Sequence, residues 1–429
     1  MLRRLGFPSV GEHRRFVTAI AVDAVGSGVF MPVSMLYFLV ATPLSLVEIG
    51  AAISIASAVS IPAGPVVGGI VDRVGSQRVL QVANIAQGVG FVAYLFVDSF
   101  TGVLLSTMLV SVGRTAFWGS FGATVAVISQ PGERELWFGF LGALRNVGFA
   151  LGGLVSGLAI TIGTETAYAA IVVANALSYG LAYVLLRAVP NTVAPSARED
   201  GERREGWGVV LRDRRYALLV LTQATFSMSM MALNFAMPIY ATETLGLPGW
   251  VAGALFTINT VMVGFGQGVL VRSLTGRVRN RVLLAANLAF AASYVVLLGA
   301  TRASVVVATL LVLGGVAVYT LGEMLGGPVL AALAAEAAPD HLRGRYLAWN
   351  QMAWTVTGAA APITFAALLS QGAAVTWLGL TALAGVGALL TLWLGRVLPH
   401  ASEAITNRAE PTVPPSDPES VIADAPAVT

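Results

Sequence analysis

Residues 68–78 read Gly-Gly-Ile-Val-Asp-Arg-Val-Gly-Ser-Gln-Arg, with Asp72, Arg73 and Arg78 as the charged members. Apolar runs lie on both sides, at 46–70 and 79–97. A helix of about 20 residues crosses a ~30 Å hydrocarbon core, and lipid admits only helices or closed barrels. Two runs of that length joined by a short charged turn therefore predict two antiparallel membrane-spanning helices, with Gly75 allowing the tight reversal.

Working outward, the same punctuation recurs along the chain. Spans are predicted at 16–40, 46–70, 79–97, 102–128, 138–162, 167–187, 216–240, 251–272, 282–300, 304–330, 346–369 and 376–395. The fourth and tenth are long enough to require tilt. The tenth, rich in Ala and Gly, is the one most open to a break. Alternate connections hold 22 of the 25 arginines; Arg114 and Arg145 fall inside spans, and Arg302 lies on the other side. The positive-inside rule then predicts both termini in the cytoplasm.

The polar stretch 188–215 divides the chain six plus six. The expected organisation is a cytoplasmic N-terminus (1–15), a six-helix bundle (16–187), a linker (188–215), a second bundle (216–398) and a disordered cytoplasmic tail (399–429). Sliding the first half by 209 positions sets Arg114 on Glu323 and Arg134 on Arg343, as expected of halves related by a twofold axis along the membrane normal. Chance alignment of Ala/Gly-rich helices is the alternative. The N-terminus is basic but lacks the apolar run of a removable signal peptide.

Composition removes several functions. Only 11% of residues are charged and 56% are hydrophobic, with mean hydropathy +0.78, against about 25% charged in soluble domains. Cysteine is absent, so no disulfide framework or thiolate site arises. All 25 basic residues are Arg, which excludes a Walker A lysine and Schiff-base chemistry. The three histidines, His13, His341 and His400, are scattered at span ends and form no zinc motif. No metal, cofactor or enzymatic activity is expected. A pI near 9.4 with a net charge of only +3, and Arg spread between spans, reads as topogenic and not as a nucleic-acid surface.

The loop at Gly68, Asp72, Arg73, Gly75 and Arg78 resembles the signature loop of the major facilitator superfamily, G-x-x-x-D-R-x-G followed by basic residues. Here Ser76-Gln77 stand where a basic pair is usual. The resemblance implies an all-α integral membrane fold of twelve transmembrane helices in two pseudo-symmetric six-helix bundles. It also implies that Asp72 pairs with an Arg of a neighbouring helix and latches the cytoplasmic side; the plainer reading is a charged turn. A second copy runs from Gly268 through Arg272, Gly276, Arg277, Arg279 and Arg281 without the Asp, so only one latch is expected to have its acid.

Charges inside spans cost about 2.5–3.5 kcal/mol or more each, and mark functional sites by default. Asp23, Arg114, Arg145 and Glu323 qualify. Asp23, about 12 Å along the first span, could exchange a proton if its surroundings changed, or form a permanent ion pair with Arg114 or Arg145. Arg114 resembles the superfamily's motif Arg associated with proton transfer, although the following Gly falls one place late at Gly119. Arg145-Asn146-Val-Gly148 with Gly152, Gly153 and Gly157 resembles the motif of drug-efflux antiporters, and equally fits plain small-residue packing. The passage Gly322–Tyr346 around Glu323 resembles twelve-span drug/proton antiporters. Asn146, Asn234, Asn259, Asn350, Gln351, Trp118 and Trp354 are candidates to line a mixed cavity.

The expectation is a secondary active transporter of the inner (plasma) membrane, exporting hydrophobic or cationic small molecules in exchange for protons by alternating access. Its partners are then substrate, protons and lipid, without nucleic acid, and the chain is a monomer. A proton-coupled or facilitative importer of a small metabolite, and a non-transporting scaffold, are the alternatives.

Overall fold

The computed structural model describes residues 8–130, 132–189 and 206–408, and these fold almost entirely into helix. We number the long helices in chain order. The first six are α1 (Arg14–Phe30, resuming after a break as Ser34–Ala41), α2 (Leu46–Ser60, resuming as Ala63–Val74), α3 (Ser76–Tyr94), α4 (Phe100–Ile128), α5 (Arg134–Ile162) and α6 (Glu165–Leu186). The second six are α7 (Arg214–Phe235, extended through Thr244), α8 (Trp250–Val261, continuing to Ser273), α9 (Arg279–Gly299), α10 (Val305–Glu336), α11 (Arg343–Ser370) and α12 (Ala373–Val397). Most of the predicted linker, 190–205, lies outside the described residues, as do 1–7 and 409–429.

Among the described residues nine helices are individually long and apolar enough to cross a membrane, and α1 and α2 qualify as pairs bent by 55° and 45°. The breaks fall at Pro32 and Pro62, where a ring in place of the N–H interrupts the helix ladder. Ser76–Tyr94 is the exception. Its Gln77, Asn84 and Gln87 are buried against α4 and α6, so it crosses the fold with a polar inner face instead of a uniformly apolar one.

The tenth span differs from expectation. Helix α10 runs unbroken for 32 residues with Pro328 inside it, and the carbonyl that the proline leaves free, Met324 O, accepts from Gln267 Nε2 of α8 instead. The irregularity sits in α8 instead, as a five-residue wide turn at Met262–Gly266.

The first bundle has a divided core. Phe30, Tyr37, Phe91 and Tyr94 belong to one apolar cluster, and Phe16, Leu80, Phe117 and Trp137 to another. Between them sit Asp23, Asn84, Gln87, Arg145 and Asn175, all buried. The second bundle is built around one continuous cluster that includes Phe226, Phe290, Tyr294 and Trp377.

Helices α1 and α5 cross almost backbone to backbone. A Cβ at Gly152 would fall 2.5 Å from Val25 O and Val29 N, and one at Gly28 would fall 2.6 Å from Phe149 Cα. Gly153 has open space around it. Gly152→Ala is expected to force the helices apart at a cost of about 1–3 kcal/mol, lowering the thermal unfolding midpoint in detergent, while Gly153→Ala leaves it unchanged. Equal midpoints would show that the crossing is not tight.

Residues 399–408, predicted as part of a disordered tail, are folded. Pro399–Ser402 form a helical turn, and Ala404 makes a bridge to Val278. The apolar Ala401 and Ile405 are fully buried there, which an acidic, Pro-rich composition conceals.

Candidate functional site

The face that carries the Arg-rich connections is here termed the basic face. At this face Asp72, in the last turn of α2, reaches across to the other bundle. Its Oδ1 accepts from Gly344 N at 2.5 Å, and its Oδ2 accepts from Arg345 Nη1 at 2.8 Å and Arg345 N at 3.3 Å. Gly344 and Arg345 open α11, where backbone N–H groups lack helical partners and the helix dipole favours an anion. Asp72 therefore caps a helix of the opposite half. Gly68 makes the approach possible, since a Cβ there would lie 2.6 Å from that of Ala348, and Gly75 turns the chain at φ 91°. Arg73 and Arg78 are exposed and form no ion pair among the described residues.

The second loop corrects the expectation of a single acidic latch. Arg279 donates from Nε to Glu135 Oε1 at 2.5 Å, and its Nη1 lies 2.8 Å from Glu336 and 3.2 Å from Glu403. The missing Asp is thus replaced by Glu135, a carboxylate of the opposite half. Arg134 adds a longer pair to Glu336 at 3.8 Å. The sequence marked Arg134 and Arg279 through the repeat but not Glu135, Glu336 or Glu403 as their partners, because charges at span ends already satisfy the positive-inside rule. The one available signal was Glu135, an acid placed beside Arg134 in an otherwise basic connection.

Asp23 and Arg145 face one another across the α1/α5 crossing, with Arg145 Nη1 at 2.7 Å from Asp23 Oδ2. Asp23 is 3% and Arg145 8% exposed. The guanidinium also lies over Trp118 at 4.5 Å, with Phe117 and Phe149 at 5.4 and 5.5 Å, a cation–π setting that stabilises a desolvated Arg by about 2 kcal/mol. Arg114 is not their partner. It is exposed on α4, one turn from Trp118, and forms no ion pair among the described residues.

Between the bundles lies a cavity of about 490 Å³, within the usual range for small-molecule sites. Both halves line it: Trp118 and Phe121 from α4, Asn146 from α5, Gln223 and Phe226 from α7, Gln267 from α8, Glu323 from α10, and Asn350, Gln351 and Trp354 from α11. Among the described residues Glu323 is the one ionisable group on the lining. Its Oε2 accepts from Asn259 Nδ2 at 2.6 Å, and no ion pair reaches it among the described residues. Asn259 also donates to Thr320 Oγ1 at 3.3 Å.

The wide turn in α8 explains how Asn259 and Gln267 both face α10, Gln267 donating to Met324 O at 2.9 Å. Eight residues of regular helix rotate about 80° beyond two full turns. Five residues wound more loosely remove that excess, as such insertions often do at functional sites.

The structure thus gathers six of the sequence candidates, Glu323, Asn146, Asn350, Gln351, Trp118 and Trp354, around one cavity. Asn259 stands behind Glu323 and not on the wall. Asn234 is exposed and outside the lining, and Asp23 and Arg145 pair off within the first bundle. Gln223 escaped notice as a buried amide on an otherwise ordinary span.

Comparison with known proteins agrees with this architecture. The family model described as Major Facilitator Superfamily matches residues 16–362. The multidrug resistance protein MdtH of Cronobacter sakazakii is 24% identical over 390 residues, covering 90% of this chain and 94% of the relative. The class G tetracycline resistance protein of Vibrio anguillarum is 27% identical, covering 87% and 93%. Among solved structures, a bacterial homologue of the iron transporter ferroportin in an outward-facing state superposes with TM-score 0.71 at 14% identity, over 90% of this chain and 99% of that one. The proton:xylose symporter XylE gives 0.65 at 17%, over 92% and 97%. A family match across most of the chain and an amide- and aromatic-lined cavity between two six-helix bundles lead to one conclusion: the chain belongs to the Major Facilitator Superfamily and is a membrane transporter, not an enzyme.

Proposed function

We propose that this transporter exports hydrophobic or cationic small molecules across the inner (plasma) membrane in exchange for protons, and that Glu323 is the group on which the two compete. The observation that carries this is the isolation of Glu323, an ionisable group on an amide- and aromatic-lined wall with no cationic partner among the described residues. A half-buried carboxylate without a counter-ion is stabilised by gaining a proton or by the approach of a cation, and it cannot hold both. Aromatic faces such as Trp118 and Trp354 favour a cationic or apolar guest. Two relatives named for resistance to drugs support export.

In this reading the basic face is cytoplasmic, so both termini lie inside, and Asp72 with Arg345 and Glu135 with Arg279 hold the cytoplasmic side shut. One chain supplies the complete cavity, in keeping with a monomer. Asp23 with Arg145 serves as a fixed brace, and Arg114 remains available to the pathway beyond Trp118. The test is flux of tetraphenylphosphonium in proteoliposomes under an imposed pH gradient, with tetraphenylborate as the anionic control. Gradient-dependent movement of the cation alone is expected. Flux that survives collapse of the gradient, or that favours the anion, would contradict the reading.

A further inference from the structure

We propose that residues 403–408 form a C-terminal clasp that holds the cytoplasmic side closed, a regulatory element beyond the cavity chemistry proposed above and dependent only on its orientation. The segment is rooted in the second half. Gly276 N donates to Ile405 O at 2.7 Å, Ile405 N to Arg277 O at 2.9 Å, and Arg279 N to Glu403 O at 3.1 Å, so the chain adds like a strand to the α8/α9 loop. Asn407 Nδ2 donates to Val271 O at 2.8 Å and Thr275 Oγ1 at 2.9 Å. Ile405 is fully buried beneath it.

From that root the segment reaches the first half at a single turn. Thr406 Oγ1 donates to Gly132 O at 3.1 Å. Gly132 has φ 84°, and a Cβ there would lie 2.3 Å from Arg408 O, so the segment passes directly over its backbone. Gly132 belongs to the turn that launches α5, the helix whose first residues, Arg134 and Glu135, meet Glu336 and Arg279. Opening the cytoplasmic side must carry this turn away from the second half, which breaks the Thr406 contact together with the Glu135 pair.

Glu403 complements the arrangement. Arg279 is 3% exposed and has carboxylates from both halves around it. When Glu135 departs with the first half, Glu336 and Glu403 remain, so the Arg is never left uncompensated and the segment stays rooted while its outer contact lets go. Release at Gly132 is therefore the clasp's moving part.

Because the chain has no cysteine, Ala331→Cys in the cavity wall reports access from the cytoplasmic side, using a membrane-impermeant maleimide on inverted vesicles. A chain ending at Arg408 should label like the full chain. A chain ending at Ser402 should label roughly ten-fold faster, the change expected from losing a hydrogen bond or two net of water, and Thr406→Val should fall between. Labelling of the Ser402-ended chain at the full-chain rate overturns the proposal. A second measurement does not depend on a truncation that folds. Glu133→Cys with Arg408→Cys, oxidised to a disulfide in the full chain, should stop flux, and reduction should restore it. Undiminished flux through the cross-linked protein also overturns it.

Discussion

Replacing Glu323 by Gln abolishes the dependence of transport on the pH gradient and weakens cation binding. Gln keeps the shape and can still hydrogen-bond to Asn259, which presently donates to the carboxylate at 2.6 Å, so the cavity should remain folded. What disappears is the one ionisable group that the described residues place on the lining. A hydrogen bond to a charged group is worth about 1.5–3 kcal/mol, which is roughly 10- to 150-fold in cation affinity. Uncharged apolar substrates should bind almost as before. Equilibrium binding of a fluorescent cation and of a neutral analogue, paired with flux, separates the two effects. Equal losses for both ligands would point to a damaged cavity and away from a lost charge.

The second large effect is on stability. Arg145→Met leaves Asp23 buried opposite a thioether, and removing one partner of a buried ion pair costs about 3–5 kcal/mol. Trp118, whose ring lies under the guanidinium, loses its stacking partner as well. Replacing both members, Asp23→Leu with Arg145→Met, should recover most of the loss, because two apolar side chains of similar volume need no compensation. Thermal unfolding of the four proteins forms the cycle. A double variant no more stable than the single one would show that Asp23 does not depend on Arg145, and the brace would have to be abandoned. Asp23→Asn is the milder companion, expected to retain gradient-driven flux.

These two pairs of residues show how far the sequence could be read. Asp23, Arg145 and Glu323 stood out because ionisable groups inside apolar spans are costly, and the same reasoning could not tell which was paired. That distinction depends on the α1/α5 crossing, where Gly28 and Gly152 bring two distant segments within backbone contact. The Asp72 loop was legible from spacing, and its partner was not, since Arg345 lies 273 residues away in sequence. Arg279 and Glu135 sat in connections where charge is ordinary, so their mutual contact had no local signature.

Two structural expectations gave way for physical reasons. Ala and Gly made α10 look breakable, yet it stays continuous through Pro328 because Gln267 satisfies the Met324 carbonyl that the proline leaves free, while α8, unremarkable in letters, carries the wide turn that orients Asn259 and Gln267. The segment Glu403–Arg408 reads as tail because it offers one sizeable apolar side chain, Ile405. Its order comes instead from backbone pairing with the α8/α9 loop, a nonlocal interaction that composition does not encode.

In the proposed exchange proton and cation share Glu323 while Asp23 stays locked to Arg145. Proton release from detergent-solubilised protein in a weakly buffered solution, read with a pH indicator as tetraphenylphosphonium is added, tests it most directly. Release that saturates with cation binding is predicted for the native chain and for Asp23→Asn, and none for Glu323→Gln. Release that persists in Glu323→Gln but vanishes in Asp23→Asn would place the exchange in the first bundle and contradict the account.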